Sequence, residues 1–91
     1  PKYAARRDST EAAIIDGLNA IGWDCEPLSS GKLPDLLCRH RGSGQLVLLE
    51  IESGHYKRYR SESQKEMLAR WQVPIVKDFA EAARAVGAKI L

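Results

Sequence analysis

The sequence predicts an α/β fold: a small mixed β-sheet flanked by helices, in the order αβββαβα. Three observations predict it. The segment 45–52 is apolar on both faces, as an interior strand is. Helix-starting pairs stand at Asp8/Glu11, Ser61/Gln64 and Asp78/Glu81, each a capping acceptor followed three residues on by Glu or Gln. Short apolar runs bounded by Gly, Pro and Ser fall between them, as strands do.

Taken in order, residues 1–7 (PKYAARR) are basic and aperiodic and read as a loose arm. The first helix begins at Asp8 and Ser9, and Ile14, Ile15, Leu18 and Ile21 form its apolar stripe until Gly22 ends it. Trp23 to Pro27 is a short strand and 28–32 a loop. Asp35 to His40 and Gln45 to Glu52 pair around a turn at Arg41-Gly-Ser-Gly44. In the second of these, Leu46 and Leu48 face one way and Val47, Leu49 and Ile51 the other, so helices are expected on both sides. Ser61 opens a helix with Met67, Leu68 and Trp71 as its buried stripe. Pro74-Ile75-Val76 is a short strand, and a last helix runs from Asp78 through Val86 to a stop at Gly87.

With 91 residues the chain makes one domain, 1–91. Such a domain buries roughly 60–65% of its unfolded surface, enough for a single core. A formal charge of +2 is too small to argue for nucleic acid by itself. Both cysteines, Cys25 and Cys38, sit in apolar-rich runs with no signal-peptide pattern before them. The two could form one disulfide, but reduced, packed thiols in a cytoplasmic protein are expected. No apolar run approaches the ~20 residues of a membrane span.

The acids carry the chemistry. Glu11 lies on the apolar stripe of the first helix, although a first-turn Glu commonly serves the helix dipole. Asp35 follows Pro34, which alone is ordinary turn chemistry. Glu50 stands inside a strand apolar on both faces, and Glu52 follows it on the same side, roughly 6.6 Å away. Ionised carboxylates are almost never buried unpaired. Two of them about 4 Å apart repel by about 4 kcal/mol at an effective dielectric near 20. Pairing around the Gly42–Gly44 turn brings Asp35 beside Glu50 and Glu52. If helix packing adds Glu11, an oxygen-only site for Mg²⁺ or Mn²⁺ results.

These residues resemble a known family. Pro34-Asp35, fourteen intervening residues, then Glu50-Ile51-Glu52 is similar to the PD-(D/E)xK nuclease signature. More closely, GKLPDLL, LVLLEIES and SESQKEML resemble the VRR-NUC (virus-type replication-repair nuclease) family over nearly the whole chain. The resemblance implies a PD-(D/E)xK nuclease-like core and a metal-dependent DNA endonuclease acting on branched or flapped DNA in repair. It implies Glu11, Asp35, Glu50 and the Ile51 carbonyl as metal ligands and Gln64 as an active-site glutamine. The departure is Glu52, where the family has Lys. Glu52 then acts as base or extra ligand, as in some nucleases of this superfamily, or Lys32, Lys57 or Lys65 supplies the cation, or the chain binds DNA without cutting it.

His55-Tyr56-Lys57-Arg58-Tyr59-Arg60 follows the acidic strand, cations interleaved with aromatics. Beside a metal site this suits a phosphate backbone, with Tyr56, Lys57, Arg58, Arg60 and Lys32 as contacts. A short charge run is otherwise a solvated loop. Lys2, Arg6, Arg7, Arg39 and Arg41 extend the basic surface, and His40 and His55 are weaker candidates. A domain this small has little surface for gripping a duplex, so a homodimer placing two sites on two strands is expected.

Overall fold

The computed structural model describes residues 2–52 and 60–89, with side chains from Ser9 onward. The elements are α1 (Lys2–Ala20), β1 (Trp23–Pro27), β2 (Leu36–His40), β3 (Leu46–Ile51), α2 (Glu62–Arg70), β4 (Ile75–Val76) and α3 (Phe79–Gly87). The order is the predicted one. The strands form one sheet in the order β1-β2-β3-β4, antiparallel at the first two junctions and parallel between β3 and β4. A parallel partner needs a crossover, and α2 lies on it. No described helix is long and apolar enough to cross a membrane.

Local chemistry explains the boundaries. Gly44 adopts φ 77° in the β2–β3 turn, where its N–H reaches His40 O at 2.7 Å and His40 N–H reaches Gln45 O at 2.8 Å. Ser61 caps α2 in a reciprocal box with Gln64, and Asp78 caps α3 by accepting from Glu81 N–H at 2.9 Å. The start of α1 differs from expectation. The helix runs from Lys2, so the residues read as a loose arm are helical, and Asp8 and Glu11 lie inside the helix instead of at its cap. Residues 2–7 contain no Gly or Pro, and the Ala and Arg among them are good helix formers that outweigh the local capping signal.

The core lies on one sheet face. Ile14 and Leu18 of α1 and Ala82 and Val86 of α3 close over Trp23, Leu36, Cys38, Val47, Leu49, Ile51 and Val76. The two helices approach tightly: a Cβ at Gly17 would run into the Phe79 ring. Ile21 falls past the end of α1 and is exposed, outside the predicted stripe.

The opposite face is only partly covered, against the expectation for β3. Leu46 is 60% exposed, and Leu48 is half-buried. The helix on that side, α2, has nine residues and a single buried one, Leu68, which is too little to roof the sheet. Trp71, predicted in the buried stripe, is 54% exposed. It is the C-cap of α2, and Gln72 at φ 55° then turns the chain away, so the stripe ends before it. Trp71, Leu37, Leu46 and Leu48 line a shallow groove of about 310 Å³.

Candidate functional site

The acidic end of β3 is assembled by sheet register. Leu36 pairs with Leu49, and the same register carried one residue further sets Asp35 beside Glu50. The expected approach of Pro34-Asp35 to Glu50 is present. Asp35 Oδ2 accepts the Ile51 N–H at 2.8 Å in a buried bond, and Asp35 O accepts the Leu28 N–H at 2.8 Å. Asp35 therefore joins the beginning of β2 to the end of β3 and the residue after β1. On its other side β3 is held by Glu50 N–H to Pro74 O and Glu52 N–H to Val76 O, both 2.9 Å. Glu50 is 3% exposed and Asp35 8%.

What stands before the carboxylates is Arg60. Its Nε donates to Glu50 Oε2 and its Nη1 to Glu52 Oε1, each at 2.7 Å, so one guanidinium spans two carboxylates on the same strand face. The Arg60 and Glu50 side chains are 12% and 4% exposed, and Glu52 is 38% exposed. Burial pulls the guanidinium pKa down, but the hydrogen bonds and charges of Glu50 and Glu52 outweigh this and hold it above its ordinary value. The third nitrogen, Nη2, is buried with no hydrogen-bond partner among the described residues. Arg60 was expected to grip DNA; of the three lysines considered for the place where the resembled family has Lys, Lys57 lies outside the described residues. Lys65 Nζ lies 3.3 Å from Glu62 Oε2 on the exposed side of α2, and Lys32 is exposed in the 28–35 loop.

Gln64 completes the local frame. Its Oε1 accepts the Ser61 N–H at 3.0 Å, and its Nε2 donates to Gly31 O. It thus pins the start of α2, and with it Arg60, to the loop that leads into Asp35. Arg41 is tied to Asp24 Oδ1 at 2.8 Å and to Asn19 O, and the His40 ring packs 5.0 Å from that of Trp23, so both brace the end of the β1–β2 pair opposite the acids. Tyr56, Lys57 and Arg58 lie outside the described residues.

The donor set suits a hard divalent cation. The side-chain donors of Asp35, Glu50 and Glu52 are all carboxylate oxygens. Among the described residues no group of three His, Cys, Asp or Glu side chains gathers as a metal site; Glu11 is half-buried on α1. No family model, no curated protein and no solved structure matches the chain.

Proposed function

We propose that this chain is a metal-dependent DNA endonuclease of the VRR-NUC type, hydrolysing phosphodiester bonds in branched or flapped DNA. One observation carries the reading: the Asp35 carboxylate, fixed by the Ile51 N–H, stands at the β3 end where Glu50 is buried. Two buried carboxylates on adjoining strand ends do nothing for stability that a hydrophobic pair would not do better.

Asp35, Glu50 and the Ile51 carbonyl, with Glu11 from α1, would hold Mg²⁺ or Mn²⁺. When bound, the ion supplies Lewis-acid polarisation of the phosphoryl oxygen and a more acidic water. The chain's own groups do the rest. Glu52, the most exposed of the strand-end acids, takes a proton from the attacking water. Arg60 swings its guanidinium from the acids to the phosphate it must neutralise. Gln64 keeps Arg60 and the Gly31 loop in place, and Lys32, Tyr56, Lys57 and Arg58 grip the backbone. A homodimer would offer two such sites to the two strands.

A second reading is favoured by Arg60 itself. A guanidinium already bonded to Glu50 and Glu52 gives these acids a counter-charge without any metal. The chain would then be a nucleic-acid-binding module that keeps a nuclease-like fold and does not cut.

A cleavage assay on linear and four-way-junction DNA with Mg²⁺ and Mn²⁺ separates the two readings. Cleavage by the natural chain, abolished in Asp35→Ala, is the expected result. Silence from the natural chain with activity in Glu52→Lys would mean a disabled nuclease with the right acids. Silence from all three proteins, with metal-independent DNA binding retained, would replace the enzyme by the binding module.

A further inference from the structure

Away from the acids, Cys25 and Cys38 face each other directly across the antiparallel pair of β1 and β2. The ladder tells which kind of pair they form. Arg41 N–H bonds Gly22 O at 2.9 Å and Leu28 N–H bonds Asp35 O at 2.8 Å. Bonded pairs alternate with unbonded ones, so the unbonded positions are Trp23/His40, Cys25/Cys38 and Pro27/Leu36. Proline, which has no N–H, stands at one of these unbonded positions, as the alternation requires. Unbonded pairs bring their side chains closest, with Cα atoms about 4.5 Å apart, inside the range disulfides tolerate. The sulfurs are 3.3 Å apart, and both thiols are free. Closing to the ~2.05 Å of a disulfide asks each side chain for a small rotation and the backbone for little.

We propose that Cys25 and Cys38 are a thiol–disulfide pair that closes under peroxide and locks the edge strand β1 onto β2. The two thiols have different roles. Cys25 is half-buried and Cys38 fully buried in the core, so the oxidant meets Cys25 first. The shared hydrogen bond lowers the Cys25 thiol, against burial and Asp24, with Arg41 assisting. The same bond, then burial, then the charge on Cys25 push Cys38 far up. Cys25 is therefore the nucleophile and Cys38 the resolving thiol.

The Cys25 thiolate attacks one oxygen of hydrogen peroxide, the O–O bond breaks, and hydroxide leaves and becomes water on protonation. Cys25 is now a sulfenic acid. Without its thiolate, Cys38 loses the charge that opposed its ionisation. The Cys38 sulfur attacks the Cys25 sulfur, the S–S bond forms, and the S–OH bond breaks. The departing hydroxide takes the Cys38 proton. In balance, two thiols are oxidised to one disulfide and one peroxide is reduced to two waters. The new bond closes a ring that contains the 28–34 loop and Asp35.

The test is intact-mass and peptide mapping of the reduced, folded chain after sub-millimolar hydrogen peroxide. The expected product is a monomer lighter by about 2 Da, restored by dithiothreitol, with Cys25 and Cys38 in one cross-linked peptide. Its melting temperature should rise by on the order of 10 °C. In Cys38→Ser the reaction should stop at a sulfenic acid on Cys25, heavier by about 16 Da and trapped by dimedone, whereas Cys25→Ser should stay unmodified. Should the serine variants fail to fold, the wild-type product alone decides. Sulfinic acid at Cys25, disulfide-linked dimers, two unreacted thiols or a lowered melting temperature would each overturn the proposal.

Discussion

The two faces of β3 carry different tasks on six consecutive residues. Val47, Leu49 and Ile51 point into the core under α1 and α3 and are all buried. Leu46, Leu48 and Glu50 point the other way, and exposure falls along them from a 60% exposed leucine to a 3% exposed glutamate. On the first face burial and hydrophobicity agree. On the second they are reversed, with the apolar residue wet and the charged one dry. A strand gains nothing in stability from that reversal, so the second face is where function is to be sought.

The largest effect expected from this contrast is at Arg60. Arg60→Met leaves Glu50 buried without its guanidinium and should cost about 4 kcal/mol in urea unfolding. The double variant Arg60→Met with Glu50→Met removes both charges and should recover most of that loss. The Glu52 arm of the fork is more than one-third exposed, and Glu52→Gln should cost under about 1 kcal/mol. If Arg60→Met were neutral, Arg60 would not be what holds the dry charge on the second face, and the metal reading would gain.

Next come the leucines of the two faces. Leu49→Ala opens a cavity at a fully buried position and should cost about 3 kcal/mol. Leu46→Ala, three residues away on the wet face, should change stability by less than about 0.5 kcal/mol. A large cost at Leu46 in a concentration-dependent unfolding experiment would mean that a second copy covers the open face, as the expected homodimer requires.

Much of this was legible in the sequence because it follows from local rules. Period-two alternation and a glycine turn placed Asp35 beside Glu50 before any coordinates, and capping chemistry located the starts of α2 and α3. Arg60 was legible only as one cation in a basic run. It stands eight positions beyond Glu52, a separation at which no helix or strand period sets it opposite the acids. The available signal was its place directly before the Ser61 cap, since a helix start pinned by Gln64 to the Gly31 loop carries Arg60 with it. The uncovered leucine face and the exposed Trp71 were not legible, because an apolar period states that a face wants cover and not that the fold supplies it.

The last prediction belongs to the closed face and tests how strictly it excludes charge. The Cys25/Cys38 pair shares a hydrogen bond in the core, and Cys38 is held protonated well above its ordinary 9.0. Above that pH the unfolded chain has lost the Cys38 proton while the folded chain keeps it. The unfolded state then binds fewer protons, so stability must fall as pH rises, by about 1.4 kcal/mol per pH unit. The lowered Cys25 thiol acts oppositely, adding stability as pH rises toward 9.0 and nothing further beyond it. Urea unfolding in reductant from pH 7 to about 10.5 should therefore show a decline that sets in near 9.0 and is absent in Cys38→Ala. The Arg60 guanidinium, already raised, titrates above this window and should add no slope there. The dry thiol on the closed face would then set the alkaline limit of the fold.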